Sequence, residues 1–140
     1  MLFRSPQDNP IFAGSIQENL LLGRQIPTNE LLAISQNIGL DRVLQKFPDG
    51  LNHQLKVNGA NLSAGQKQLI GIARGLVQLG DLLILDEPVA NLDEKTTQQV
   101  FTYLASLPTT VLLVSHQLET EHSNFQKLVL ADGQIQQVDS

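Results

Sequence analysis

The chain has 140 residues, of which 41% are hydrophobic and 16% charged, so length and composition predict one soluble globular domain with a buried core. Nine basic and 14 acidic side chains give a net charge of −5 without a basic run, so nucleic-acid binding is not expected. The absence of cysteine excludes disulfides and thiolate metal sites, and no apolar run approaches the roughly 18 residues of a membrane-spanning helix.

Residues 28 to 47 have the pattern of short helices. Thr28 follows a proline and is a candidate N-cap, Gly39 interrupts the pattern, and the run Phe47-Pro48-Asp49-Gly50 ends it. Together with the next helix, this region predicts a helical subdomain over about residues 8 to 80.

A longer helix is predicted from Ala64 to about Leu79, with Gly80 as its stop. Ser63 and Gln66 form the S-x-x-Q pattern of a capping box at its start. The inward residues are expected to be Leu69, Ile72, Ala73 and Leu76. The same start admits a second interpretation, since free N–H groups beside small residues also bind phosphate.

Two short apolar runs, LLIL at 82 to 85 and VLLV at 111 to 114, predict strands buried on both faces of a parallel sheet. Between them lies a helical pattern that Asp93 would cap and Pro108 would stop. Its inward stripe is predicted to be Thr97, Val100, Phe101, Leu104 and Leu107. The tail predicts a hairpin with strands at 128 to 131 and 134 to 138.

Polar residues directly follow both apolar runs: Asp86 and Glu87 after the first, Ser115 and His116 after the second. Ligands of α/β sheets bind beyond the carboxyl ends of parallel strands, so these residues predict a site. We assign Asp86 to Mg²⁺ and Glu87 to the general base that activates an attacking water. The alternative is a solvated acidic turn, which the four preceding apolar residues disfavour.

The ordered segments SPQD, NLSAGQKQ, LLILDEP, VANLD and VLLVSHQLE resemble the nucleotide-binding domain of ATP-binding cassette (ABC) transporters over nearly the whole chain. The resemblance implies an α/β fold with a P-loop NTPase-like parallel sheet and a helical subdomain. Residues from about 81 to 140 would form the Walker B and switch-histidine part of the core. It also implies ATP and Mg²⁺ as ligands, ATPase activity, and a second nucleotide-binding domain as dimer partner.

Residue roles follow from the same resemblance. Gln7 would reach Mg²⁺ and the hydrolytic water, and His116 would contact the γ-phosphate. Asp93 belongs to the segment that crosses the dimer interface. The signature residues would bind ATP of the other subunit: Ser63, Ala64, Gly65 and Gln66. The region from Phe12 to Leu20, including Ile16 and the Glu18-Asn19-Leu20 run, would face a transmembrane partner of exporter type, at the cytoplasmic face of a membrane. His53 and His122 are expected at the surface without a role.

Two departures from the family pattern qualify this interpretation. Ala64 stands where the family usually has glycine. More important, no Gly-Lys dipeptide occurs, although an ABC ATPase needs the P-loop G-x-x-x-x-G-K-[ST]. The sequence therefore predicts an incomplete sheet without the P-loop strand, an unpaired apolar edge, and no hydrolysis by the chain alone. Two alternatives stay open: a non-catalytic interaction module and a soluble ABC ATPase outside transport.

Overall fold

The computed structural model describes residues 2–5, 9–116 and 125–138. The strands are β1 (Leu2–Ser5), β2 (Gly14–Ser15), β3 (Gln54–Leu55), β4 (Leu82–Asp86), β5 (Thr110–Val114), β6 (Lys127–Ala131) and β7 (Gln134–Val138). The α-helices are α1 (Ile16–Leu21), α2 (Thr28–Ile38), α3 (Asp41–Leu44), α4 (Ala64–Val77) and α5 (Glu94–Ser106), with short 3₁₀ turns at Gly50–Asn52 and Val57–Gly59. Four of the described helices lie between β1 and β4 along the chain.

The main sheet is parallel and has the strand order β1-β4-β5. Leu83 of β4 pairs with Phe3 on one side and with Val111 on the other. Because β4 and β5 are parallel and α5 connects them, they form the predicted strand, helix, strand unit. The α/β fold class with a parallel sheet is confirmed.

The prediction that both apolar strands are buried on both faces is wrong for β5. Leu83 and Leu85 of β4 are fully buried, but Leu112 and Val114 of β5 are 44% and 49% exposed. Within the described part of the chain, β5 pairs with β4 alone and so is an edge strand.

Helix α4 is the centre of the core. All its residues from Gln68 to Leu76 are buried, because α1, α2 and β1 pack around it. The four inward residues predicted from the sequence are confirmed, and Ile70, Gly71 and Arg74 are buried as well. The residues that are not buried therefore lie at the two ends of the helix, in its first turn and at Val77.

Helix α5 buries Val100, Phe101 and Leu104 as predicted, together with Thr96. Leu107, also predicted inward, follows the helix end and packs against the core with partial burial. Thr97 is half-buried. The stripe is thus shifted by one residue at its start, because Thr96 faces Arg42 of α3 across the helix interface.

Two local predictions about the helical region are corrected. Thr28 is the first residue of α2 and not its cap; Pro27 occupies the N-cap and makes no side-chain capping bond. His53 is half-buried and stacks on Phe47, with ring centroids 4.1 Å apart. Gly39 ends α2 in the left-handed region, as the interruption predicted. His122 lies outside the described residues.

The predicted hairpin is confirmed as β6 and β7, whose register joins Ala131 to Gln134. Asp132 and Gly133 both have positive φ angles, 49° and 75°, as a type I′ turn requires. Leu130 and Ile135 are 75% and 71% exposed.

Candidate active site

The first turn of α4 is capped as the sequence predicts. Ser63 has the extended backbone of an N-cap, and its hydroxyl accepts a hydrogen bond from the Gln66 N–H at 3.2 Å. In return, Oε1 of Gln66 accepts from the Ser63 N–H at 2.9 Å. Ser63 and Ala64 are exposed, so this end of the helix is open to a ligand from outside.

Gly65 and Ala64 have different surroundings. A Cβ at position 65 would lie 2.7 Å from the carbonyl oxygen of Asn91. Glycine at 65 therefore allows the loop after β4 to approach the helix start. The methyl group of Ala64 lies on the exposed side, where it leaves that packing unchanged.

Glu87 and His116 meet at the carboxyl end of the parallel strands, as their positions after β4 and β5 predicted. Oε1 of Glu87 accepts from the His116 backbone N–H at 3.1 Å and lies 2.6 Å from its Nδ1. The Ser115 hydroxyl donates to Oε2 at 3.2 Å. The His116 side chain is 74% exposed while that of Glu87 is 15% exposed. The imidazole can thus reach a ligand that lies outside the carboxylate.

Partial burial raises the pKa of Glu87, but the hydrogen bonds and the electrostatic interaction with His116, together with the bond from Ser115, lower it by more. The net effect is a pKa below the usual value, so the carboxylate is ionised at neutral pH. The backbone of Glu87 lies in the left-handed region with φ of 46°. Its N–H donates to the Val114 carbonyl at 2.7 Å, which helps to hold this uncommon conformation.

Asp86 is half-buried at the last position of β4, beside Glu87. Carboxylate oxygens suit Mg²⁺, which proteins often hold through one or two carboxylates together with substrate phosphates. Among the residues that the structure describes, no group of three or more acidic or histidine side chains forms a metal cage. Asp86 offers one carboxylate that a magnesium ion could use as a ligand. Gln7 lies outside the described residues.

Asp93 caps α5. One of its carboxylate oxygens accepts from the Thr96 N–H and the other from the Thr96 hydroxyl, each at 2.9 Å. These bonds lower the pKa of Asp93. The capping interpretation of this residue is confirmed.

The proposed partner-facing region is only partly exposed. Ile16, Asn19 and Leu20 are at most 1% exposed, so the prediction that they face a partner is wrong. They begin and fill α1, which packs on α4. Phe12 is 53% exposed and Glu18 is exposed, so these side chains form the outer surface.

Sequence reasoning missed two buried polar residues of α4. Arg74 donates to the carbonyls of Asn19 and Pro10, each at 2.7 Å, and lies 5.7 Å from the Phe12 ring. Gln68 bonds to the backbone of Glu87 and of Asn91. Both could have been found as polar residues inside an apolar helix. Gln68, for example, lies one helical turn before Ile72 and therefore on the predicted inward face.

Comparison with known proteins decides the family. The ABC transporter family model matches residues 3–90, more than half of the chain. The chain belongs to the ABC transporter family. It is 36% identical over 131 residues to the multidrug resistance-like ATP-binding protein MdlB of Buchnera aphidicola, covering 92% of this chain and 23% of that protein. It is 33% identical to antigen peptide transporter 2 of Rattus norvegicus, covering 92% of this chain and 18% of that protein.

Among solved structures, a bacterial Atm1-family ABC exporter with ATP bound matches with a TM-score of 0.77 and 28% identity, covering 84% of this chain and 21% of the exporter. This member of the ABC transporter family thus spans less than a quarter of the length of these relatives. The resemblance drawn from the ordered motifs is confirmed. Within the described residues, no helix is long and apolar enough to cross a membrane.

Proposed function

We propose that this chain supplies the hydrolytic residues and the signature helix of an ATPase domain that powers an exporter-type ABC transporter. The signature helix is α4, and its signature turn is the helix start from Ser63 to Gln66. The observation that carries the proposal is the contact between Glu87 and His116 at the carboxyl ends of β4 and β5. A carboxylate and an exposed imidazole at this edge suit proton transfer and phosphate binding. The names of the relatives, which include exporters, support the transport role.

In this proposal Glu87 orients a water molecule and accepts its proton, while the imidazole of His116 donates to the γ-phosphate. Asp86 and Gln7 would hold Mg²⁺, which neutralises phosphate charge when it is bound. The first turn of α4, with Ser63 and its neighbours through Gln66, would bind the phosphates of an ATP molecule held by a second nucleotide-binding domain. Asp93 would lie near that dimer interface.

The transmembrane partner would contact the surface that contains Phe12 and Glu18. Phe12 is an exposed aromatic side chain on a rigid loop, since Asn19 accepts from its N–H and donates to its carbonyl at 2.9 Å in each bond. An exposed aromatic residue held in this way suits a protein contact. Such a partner would place the domain at the cytoplasmic face of a membrane.

A P-loop strand would pair with the edge of β5 that no described strand occupies, next to His116. The exposed Leu112 and Val114 support this placement, because a segment that brought the P-loop would also cover the apolar side chains of this strand. The 140-residue chain by itself is expected to bind ATP weakly and to hydrolyse essentially none.

A chimera tests the proposal. The P-loop segment of an ABC exporter relative is joined ahead of Leu2, and ATP hydrolysis by the purified domain is measured. We expect hydrolysis to appear and to fall about a hundredfold or more in Glu87→Gln, because the general base is lost. The matched control is Glu30→Gln, which alters an exposed acid in the first turn of α2 and should leave the rate unchanged.

The second candidate is a non-catalytic interaction module, which would use the exposed first turn of α4 and the exposed Phe12 for binding alone. It predicts that a folded chimera binds ATP but hydrolyses it no faster than Glu87→Gln does. That result would refute the ATPase proposal. Turnover by the unmodified 140-residue chain would contradict the requirement for a separate P-loop.

A further inference from the structure

Gln68 joins the signature helix to the loop that follows β4. Gln68 is buried, with 8% of its surface exposed. Nε2 donates to the carbonyl oxygen of Glu87 at 3.1 Å, and Oε1 accepts from the Asn91 N–H at 2.8 Å. A neutral amide offers a donor and an acceptor at one position, which neither glutamate nor methionine does. The side chain thus holds the loop at both ends.

The loop is fixed from a second direction by close packing. The carbonyl oxygen of Asn91 lies so near Gly65 that a methyl group there would approach it to 2.7 Å. Position 65 and position 68 are neighbours on one face of α4, three residues apart. The loop therefore rests on the first turns of the helix through one steric contact and two hydrogen bonds.

Glu87 is the residue for which this support matters most. Its φ of 46° is unusual for a side chain with a Cβ, and such a conformation persists only when its surroundings determine it. The Val114 carbonyl holds its N–H from the β5 side, and Gln68 holds its carbonyl from the α4 side. Both bonds thus hold the backbone that carries the carboxylate.

We propose that Gln68 is a positioning residue that couples the signature turn of α4 to the carboxylate of Glu87. The inference rests on the proposed function, in which these two parts of one chain serve different ATP molecules. A shift of α4 when its first turn meets a phosphate is then passed to the backbone of Glu87 through the Gln68 amide. Because thermodynamic coupling is reciprocal, occupation of the site at Glu87 also changes phosphate binding at the signature turn.

The kinetic test uses the active chimera with Gln68→Met, which keeps the length and bulk of the side chain but loses both hydrogen bonds. We expect kcat to fall about ten- to a hundredfold while KM changes less than about twofold, because misplacement of a reacting group slows the chemical step. The dependence of rate on ATP should also lose cooperativity. Gln98→Met is the control, since Gln98 is exposed on α5.

A second variant separates the two bonds. Gln68→Glu can still accept from the Asn91 N–H but cannot donate to the Glu87 carbonyl. If the bond to Glu87 positions the carboxylate, this variant should lose kcat as Gln68→Met does. A kcat within about twofold of wild type in both variants would overturn the proposal. An inactive wild-type chimera would instead overturn the proposed function.

Amide hydrogen exchange in the 140-residue chain gives a readout that needs no hydrolysis. Exchange at Asn91 should accelerate at least tenfold in Gln68→Met and stay near the wild-type rate in Gln68→Glu, while exchange at Leu83 in β4 stays constant in both. Faster exchange throughout α4 and β4 would show general loss of stability and would contradict a local positioning role.

Discussion

Ser63 is predicted to stabilise α4 and to bind phosphate, and substitutions can separate the two roles. Ser63→Ala removes the acceptor for the Gln66 N–H but keeps the reciprocal bond from its own N–H to Gln66. Loss of an N-cap costs about 0.5–2 kcal/mol. Because Ser63 is exposed and one bond of the box survives, we expect a loss of about 0.5–1 kcal/mol in the free energy of unfolding.

Urea unfolding followed by circular dichroism measures this loss. With an m-value of about 2 kcal/mol per molar urea, the midpoint should fall by about 0.25–0.5 M. Glycine is a tolerable N-cap, so Ser63→Gly should cost only a few tenths of a kcal/mol, and Ser63→Thr should retain the cap. Ser106→Ala, at the exposed end of α5, is the control and should change the midpoint little.

Hydrolysis by the chimera should rank the same variants differently. Ser63→Ala and Ser63→Gly both lose the hydroxyl, so their rates should fall equally, whereas Ser63→Thr should retain activity. If Ser63→Gly destabilises the chain as much as Ser63→Ala, the capping argument is refuted. If Ser63→Gly hydrolyses ATP at the wild-type rate, the hydroxyl does not act on phosphate.

Three further predictions concern other parts of the chain. Arg74→Met should lower the free energy of unfolding by about 3 kcal/mol or more in urea, because the buried carbonyls of Pro10 and Asn19 lose their donors; an unchanged midpoint would contradict this. The pKa of Asp93 is lowered in the folded state, so its contribution to stability is complete above the unfolded pKa of about 4 and is lost as pH falls through the folded value. Asp93→Asn should therefore flatten the decline in melting temperature between about pH 5 and 2, and equal slopes would refute the linkage. The edge of β5 that no described strand occupies should cause self-association, which sedimentation detects at rising concentration and which Leu112→Lys reduces; a cooperative monomeric melt at high concentration would count against it.

The sequence alone determined the local structure and the family. The capping box at Ser63 and Gln66 involves residues three apart, and the turn at Asp132 and Gly133 needs only its own backbone preference. The apolar runs of β4 and β5 identified two strands of one parallel sheet, although burial followed as predicted only for Leu83 and Leu85 of β4. The order of the motifs identified the family before any distance was known.

Patterns failed where burial depends on what packs against an element. Ile16, Asn19 and Leu20 have the motif of a partner-facing segment, but α4 covers them and makes them core. The run VLLV in β5 is as apolar as LLIL in β4, yet among the described strands β4 has a partner on each side and β5 has one partner. Sequence hydrophobicity shows that a strand can be buried, and the neighbouring elements decide whether it is.

Only the tertiary structure decided which polar groups meet. Glu87 and His116 are 29 positions apart and touch because two parallel strands end at one edge. Gln68 reaches the backbone of Glu87 and Asn91 because Gly65 lets the loop lie against α4. Such contacts depend on packing distances of a few ångströms between elements, which no local pattern encodes. The sequence thus identified the residues for the proposed chemistry, and packing brought Glu87, Ser115 and His116 into contact.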